Sequence, residues 1–224
     1  MYIPKIYRGT NRDEVVALMR AYPFATLTAR CGDRLRSAHL PFVVKETEGG
    51  ELVLRGHLAN DNEVIEHITR EEILVHFHGP QSYISPSWYS HQGHYPTWIY
   101  AAVHVAGRAR VLDSGELQAQ LLELIEQQER AEARDSSWHI GIMPEQLTQH
   151  LKKLITGFEI QVVQMEGCFR LNQNKPRADI EAMARNLASR DCRQSRALAG
   201  MLLKHAAEVD QEVLRSHAEK YRPT

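Results

Sequence analysis

Between Phe24 and Leu58 apolar and polar positions alternate with a period of two, the pattern of strands that bury one face. The runs "FATLTAR", "LRSAHLPFVVK" and "ELVLRGHL" are separated by turn residues at "CGD" and at Gly49 and Gly50, which predicts an antiparallel meander. Ahead of it, Asn11 followed by Glu14 resembles a capping box, and Val15, Val16, Leu18 and Met19 supply the apolar face of a first helix ending near Tyr22. After it, "NDNEVIEHIT" predicts a short helix with Val64, Ile65 and Ile68 on one side, and "EILVHFHG" a further strand. Residues 80–96 hold too many Pro, Ser, Tyr and Gly for regular structure and read as a long loop. "IYAAVHVAGRARVL" then reads as one long strand with a bulge at Gly107.

The period changes to that of helices from Ser114, a candidate N-cap, to Ala133, with Leu117, Leu121, Leu124 and Ile125 facing inward. "MPEQLTQHLKKL" predicts a second helix opened by Pro144, and "GFEIQVVQMEGCFRLNQ" one or two last strands. Helices are expected over 179–188 and 193–207. Strand runs flanked by helices, without a βαβ alternation, argue for an α+β fold on an antiparallel sheet or barrel. A doubly wound nucleotide fold does not fit.

Composition changes this picture little. With 224 residues, 43% apolar, 25% charged and a net charge of −1, the chain can bury its own core and has no bulk positive field to draw in nucleic acid. DNA as a partner would need a local patch. The arginines at 185, 190, 193 and 196 form one, diluted by Asp179, Glu181 and Asp191, and no helix-turn-helix is legible. Cys31, Cys168 and Cys192 are odd in number and lack a CxxC pair, which argues for reduced thiols rather than disulfides or zinc. With no apolar run long enough to span a bilayer and no leader pattern, a cytoplasmic protein is expected.

No GxGxxG, Walker A, GxSxG or HExxH pattern occurs. What stands out is "HFHGPQSYISPSWYSHQGHYPTWIYAAVHV", where His76, His78, His91, His94 and His104 are interleaved with aromatics. Two imidazoles on one strand face, His76 and His78, allow a metal reading, but no carboxylate or cysteine in the segment completes a familiar ligand set. Aromatics on a loop beside a sheet also suit a planar ligand, and equally a packed loop or a subunit interface. No axial-ligand signal for haem is present.

The segments "SAHLPF", "GHLAN", "FHGPQSYISPSWY", "PTWIYAAVHVAGRARVL", "LITGFEI" and "GCFRLNQN" occur in the order found in the PaiB family, and the chain resembles that family over most of its length. The resemblance implies an antiparallel six-stranded FMN-binding split barrel, the fold of pyridoxamine phosphate oxidases and flavin reductases, over 1–175. Residues 176–224 would be a helical C-terminal extension of the same domain. It also implies FMN as cofactor, a homodimer with flavin between subunits, and a role in negative transcriptional regulation. A flavin-dependent oxidoreductase and a cofactor-free interaction module are the alternatives. Carried over by motif, Ser37, His39, His57, Tyr83, Ser85, Trp88, Trp98 and Arg170 are the candidate cofactor-binding residues. Two positions depart from the family pattern: Asn60 stands where relatives carry an arginine, and Ile99 where they carry an asparagine.

Overall fold

The computed structural model describes residues 1–132 and 138–208. Eight strands, β1 (Arg8–Gly9), β2 (Phe24–Cys31), β3 (Arg34–Pro41), β4 (Val43–Glu46), β5 (Leu52–Ala59), β6 (Glu72–Ile84), β7 (Thr97–Val111) and β8 (Ile155–Arg170), form one antiparallel sheet. Its order is β3-β2-β6-β7-β8-β5-β4, with β1 paired to β8. Among the described residues five α-helices accompany it: α1 (Arg12–Ala21), α2 (Ser114–Glu132), α3 (Glu145–Lys152), α4 (Arg177–Ala188) and α5 (Arg193–Glu208). The α+β class is as expected, with two strands more than the six that the family resemblance implied. One is the short β1. The other arises because "LRSAHLPFVVK" is broken at the fully buried Phe42, whose N–H turns away from the ladder to the carbonyl of Pro23 at 2.9 Å.

Local chemistry accounts for most element ends. Gly32 (φ 61°) and Gly50 (φ 80°) supply the left-handed conformations of the two expected hairpin turns. Asn11 Oδ1 accepts from the amides of Asp13 and Glu14 and caps α1. Ser114 is not the cap of α2: Asp113 Oδ1 accepts from the Glu116 amide at 2.8 Å while Glu116 Oε2 accepts from the Asp113 amide at 3.0 Å, a capping box one residue earlier. Arg110 completes it with two bonds to Glu116, and these hold the Glu116 carboxyl down to about 2.

Two other expectations are corrected. Residues 62–70 form successive turns rather than a helix, Ile65→Asn62, His67→Val64, Ile68→Ile65 and Arg70→His67, which still bury Val64 and Ile68. The long loop begins later than Pro80, because β6 runs on to Ile84 with alternating burial.

The chain divides into two compact units. Unit 1 comprises Met1–Leu18, His78–Val103 and the segment from Glu166 onward; unit 2 comprises Met19–Phe77 and His104–Met165. Unit 2 is centred on Phe42, whose ring lies 5.7 Å from Phe77 and 6.3 Å from Phe158, with Leu27, Leu54, Val75 and Ile160 fully buried. Gly107 sits where β7 meets β8 so closely that a Cβ would lie 2.3 Å from the Gln161 carbonyl oxygen. Unit 1 buries Ile84, Ile99, Phe169, Met183, Leu187 and Leu198, and contains the paired helices α4 and α5.

Candidate functional site

In unit 2, the outward face of the β2–β3 hairpin is built by alternation. Phe24, Thr26, Thr28 and Arg30 share one side of β2, and their register partners Pro41, His39, Ser37 and Leu35 share that side of β3. The hydroxyls and imidazole meet across the strands: Thr26 Oγ1 lies 3.0 Å from His39 Nδ1, and Thr28 Oγ1 lies 3.0 Å from Ser37 Oγ. On the next strand His76 stands opposite Thr26, and the His104 ring of β7 stacks on it with centroids 4.1 Å apart. The row therefore runs His39, Thr26, His76, His104. Apolar surface borders it at Phe24, 62% exposed and stacked at 6.5 Å with His39, and at Leu35, 68% exposed. Arg30 lies at one end, in an exposed pair with Glu71 at 3.3 Å.

His57 is elsewhere in unit 2. Its Nδ1 lies 3.2 Å from Oε1 of Gln120, a fully buried residue of α2 whose Nε2 has no partner among the described residues. Burial pushes the His57 imidazole below its ordinary value, against a smaller opposing effect of the Gln120 bond. Asn60 is spent on one backbone and one side-chain partner: its Nδ2 donates to the Lys153 carbonyl at 2.7 Å and its Oδ1 accepts from Thr156 Oγ1 at 2.8 Å. Ile99 is fully buried.

The remaining candidates fall in unit 1. Tyr83 and Trp98 meet edge to face with centroids 6.3 Å apart, and with Trp88 they border a cavity of about 300 Å³. Ser85 plays a local part, its Oγ accepting from the Ser87 amide to cap the turn Pro86–Trp88. The Arg170 guanidinium lies over the Tyr7 ring at 5.6 Å. Two residues of this unit were not legible as functional. Arg190 reaches Ser82 Oγ at 3.1 Å and lies over Trp88 at 5.9 Å, so the arginine cluster of the tail contributes to the aromatic cavity.

Asp179, fully buried, is the other. It accepts from the amides of Ser90 and His91 and from His91 Nδ1 at Oδ1, and from His94 Nε2 at Oδ2, all within 3.1 Å. Burial alone would raise this carboxyl; the His91 and His94 donors outweigh it and hold it below the ordinary carboxylate range. Lys175 Nζ stands 3.2 Å from His94 Nδ1, which fixes the tautomer: Nδ1 accepts and Nε2 carries the proton. Among the described residues no group of three or more His, Cys, Asp or Glu is arranged to hold a metal ion.

A family model described as "Putative FMN-binding domain" matches residues 1–164. The Protease synthase and sporulation protein PAI 2 of Bacillus subtilis is 30% identical over 203 residues, 90% of this chain and 96% of that protein. The chain belongs to the PaiB family. Solved structures similar to this PaiB-family chain include the flavocytochrome Anf3 from Azotobacter vinelandii (11% identity, TM-score 0.52, covering 73% of this chain and 69% of that one). Another is the FAD and heme binding protein from Mycobacterium smegmatis (14% identity, TM-score 0.50, 73% of each chain). At these identities they establish a shared fold, and the fold is that of the FMN-binding split barrels.

The residues present fit the flavin that this family binds. A phosphomonoester needs hydroxyl and cationic donors, which Thr28, Ser37 and Arg30 offer on one strand face; a tricyclic ring needs flat apolar surface, which Phe24 and the stacked imidazoles offer beside them. No described helix is long and apolar enough to cross a membrane.

Proposed function

We propose that the protein is a cytoplasmic homodimeric flavoprotein that binds FMN along the β2–β3 face and serves in negative transcriptional regulation. The single observation that carries the flavin assignment is the solvent-facing row of Thr26, Thr28, Ser37 and His39, because a strand face spending four polar side chains on one another in pairs is poised to exchange those bonds for a ligand. Thr28 and Ser37 hydroxyls with Arg30 would hold the phosphate, and His39 and Phe24 would support the ring. Bound FMN supplies one- and two-electron redox chemistry, for which the protein contributes position and electrostatics. Tyr83, Trp88 and Trp98 take no part in this assignment. The regulatory role rests on the resemblance to the PaiB family, and the homodimer on the same ground.

The test is fluorescence titration of the purified chain with FMN and with riboflavin. R30Q and the double variant T28A/S37A should each weaken FMN binding by about tenfold or more, following the ~1.5–3 kcal/mol of a hydrogen bond to a charged group, and leave riboflavin unaffected. Absence of flavin in the purified protein together with no quenching of added FMN refutes the assignment. Light scattering reads the dimer directly. A flavin-dependent oxidoreductase is the second reading, favoured by the half-buried, stacked His76 and His104 on the same face as a proton source; bleaching of reconstituted flavin by NADH or NADPH distinguishes it.

A further inference from the structure

The aromatic cavity lies wholly within unit 1 and is lined by Gln81, Ser82, Tyr83, Trp88, Trp98, Arg190, Cys192 and Ser195. Its walls combine two kinds of group. Trp98 is 56% exposed and Tyr83 45%, large apolar rings that nothing in the described structure covers. Isolated exposed hydrophobes are ordinary, but three aromatics around one concavity are the usual lining of a small-molecule site. At about 300 Å³ the space is at the lower end of such sites, so one or two fused rings fit it better than a whole flavin nucleotide.

The charge is equally specific. Arg190 uses one guanidinium nitrogen on Ser82 Oγ, and its other donors have no partner among the described residues. A guanidinium with a free edge, stacked near a tryptophan, is the group that takes a carboxylate in paired hydrogen bonds. No acidic residue lines the cavity to compete for it. Cys192 stands on the rim, exposed, at the N-terminal end of α5.

We propose that this cavity is a second ligand site, independent of the flavin face, which binds a small aromatic carboxylate with its ring against Trp88 and Trp98 and its carboxylate on Arg190. Cys192 reports on the occupant. Hydrogen bonds from the Ser195 backbone and hydroxyl and from the Gln194 amide pull its thiol below the ordinary value, with Arg190 adding to them, so it alkylates readily when the cavity is open. A carboxylate that neutralises Arg190 and fills the cavity slows that reaction both by access and by charge.

The experiment is iodoacetamide labelling of the full chain, with the rate at Cys192 read by peptide mass spectrometry and Cys31 as internal standard. The probe is 2-naphthoate, with 2-naphthamide as its uncharged counterpart. The expected result is saturable protection of Cys192, and not Cys31, by 2-naphthoate, with the amide needing at least tenfold more. R190Q should erase that difference, and W98A, at an exposed position that leaves the core intact, should weaken both probes. The proposal is overturned if neither probe protects saturably, if protection is the same in R190Q, or if FMN protects Cys192 as strongly as 2-naphthoate, which would make the cavity part of the flavin site.

Discussion

Exchanging Asp179 for Asn keeps shape and burial while removing one acceptor and the charge. Asn can still offer one oxygen to the amides of Ser90 and His91, now as a neutral acceptor. Its NH₂ then faces His94 Nε2, which already carries a proton because Lys175 Nζ occupies the Nδ1 lone pair. Two donors meet in a buried site. Losing one charge-assisted bond is worth about 1.5–3 kcal/mol and an unsatisfied buried donor costs about 1–3 kcal/mol more, together about 2.5–6 kcal/mol; because the His94 ring keeps some solvent access, D179N should lie near the lower end, about 3 kcal/mol. For a chain of this size that lowers the melting temperature by roughly 6–12 °C. Hydrogen exchange gives the local reading: the Ser90 and His91 amides should lose about a hundredfold of protection, since each ~1.4 kcal/mol is a factor of ten. The pH dependence has a definite sign. Because the carboxyl is held below its ordinary value of 3.8, its contribution is complete above that value and disappears as pH falls through the depressed one, so wild type and D179N should converge only in strong acid. A D179N protein that melts within 1 °C of wild type, with unchanged exchange at 90 and 91, refutes the account of this anchor.

His57, lowered chiefly by burial, favours the folded state in its neutral form; stability is present above about pH 6.5 and falls as pH drops below it toward the lowered value. The melting advantage of wild type over H57Q should therefore shrink between pH 7.5 and 5.5, and a constant difference across that range would count against it. Gly107→Ala places a Cβ against the backbone of β8, where no side chain can yield, and should cost about 3 kcal/mol or more by chemical denaturation; a cost under 1 kcal/mol would mean the two strands separate easily.

The sheet was legible because its segments obey period two and its turns carry glycine where positive φ is needed, so β2 and β5 fall within a residue of their expected ends and β3 begins within one of its expected start. The break at Phe42 was not, since it depends on one N–H choosing Pro23 over a neighbouring strand. Residues 62–70 have helical apolar spacing, which three-residue turns mimic well enough to bury two of the three side chains expected on that face, Val64 and Ile68 but not Ile65. In the site, Ser37 and His39 came from motif resemblance, whereas their partners Thr26 and Thr28 stood out only once the strand register set them opposite that pair. Asp179 and Arg190 were opaque for a different reason. A first-turn acid and a tail arginine are what any surface helix shows, and the partners that give them meaning, donors for Asp179 and an acceptor for Arg190, are 85 to 108 residues away in sequence.

The division of the chain has a bearing on how it is made. Unit 2 can be assembled from residues 19–77 and 104–165, but unit 1 draws on residues before 19 and after 165, and its β1 ladder joins Arg8 to Cys168. A ribosome delivers residues in order at about 5–20 per second, so some 8 to 30 seconds separate the two sides of that ladder. During that interval Ile3, Ile6 and Tyr7 wait without Cys168, their buried partner. The strand Arg8–Gly9 thus stays without its pairing partner until β8 is almost complete, and nascent chains stalled before residue 166 should leave it open to protease.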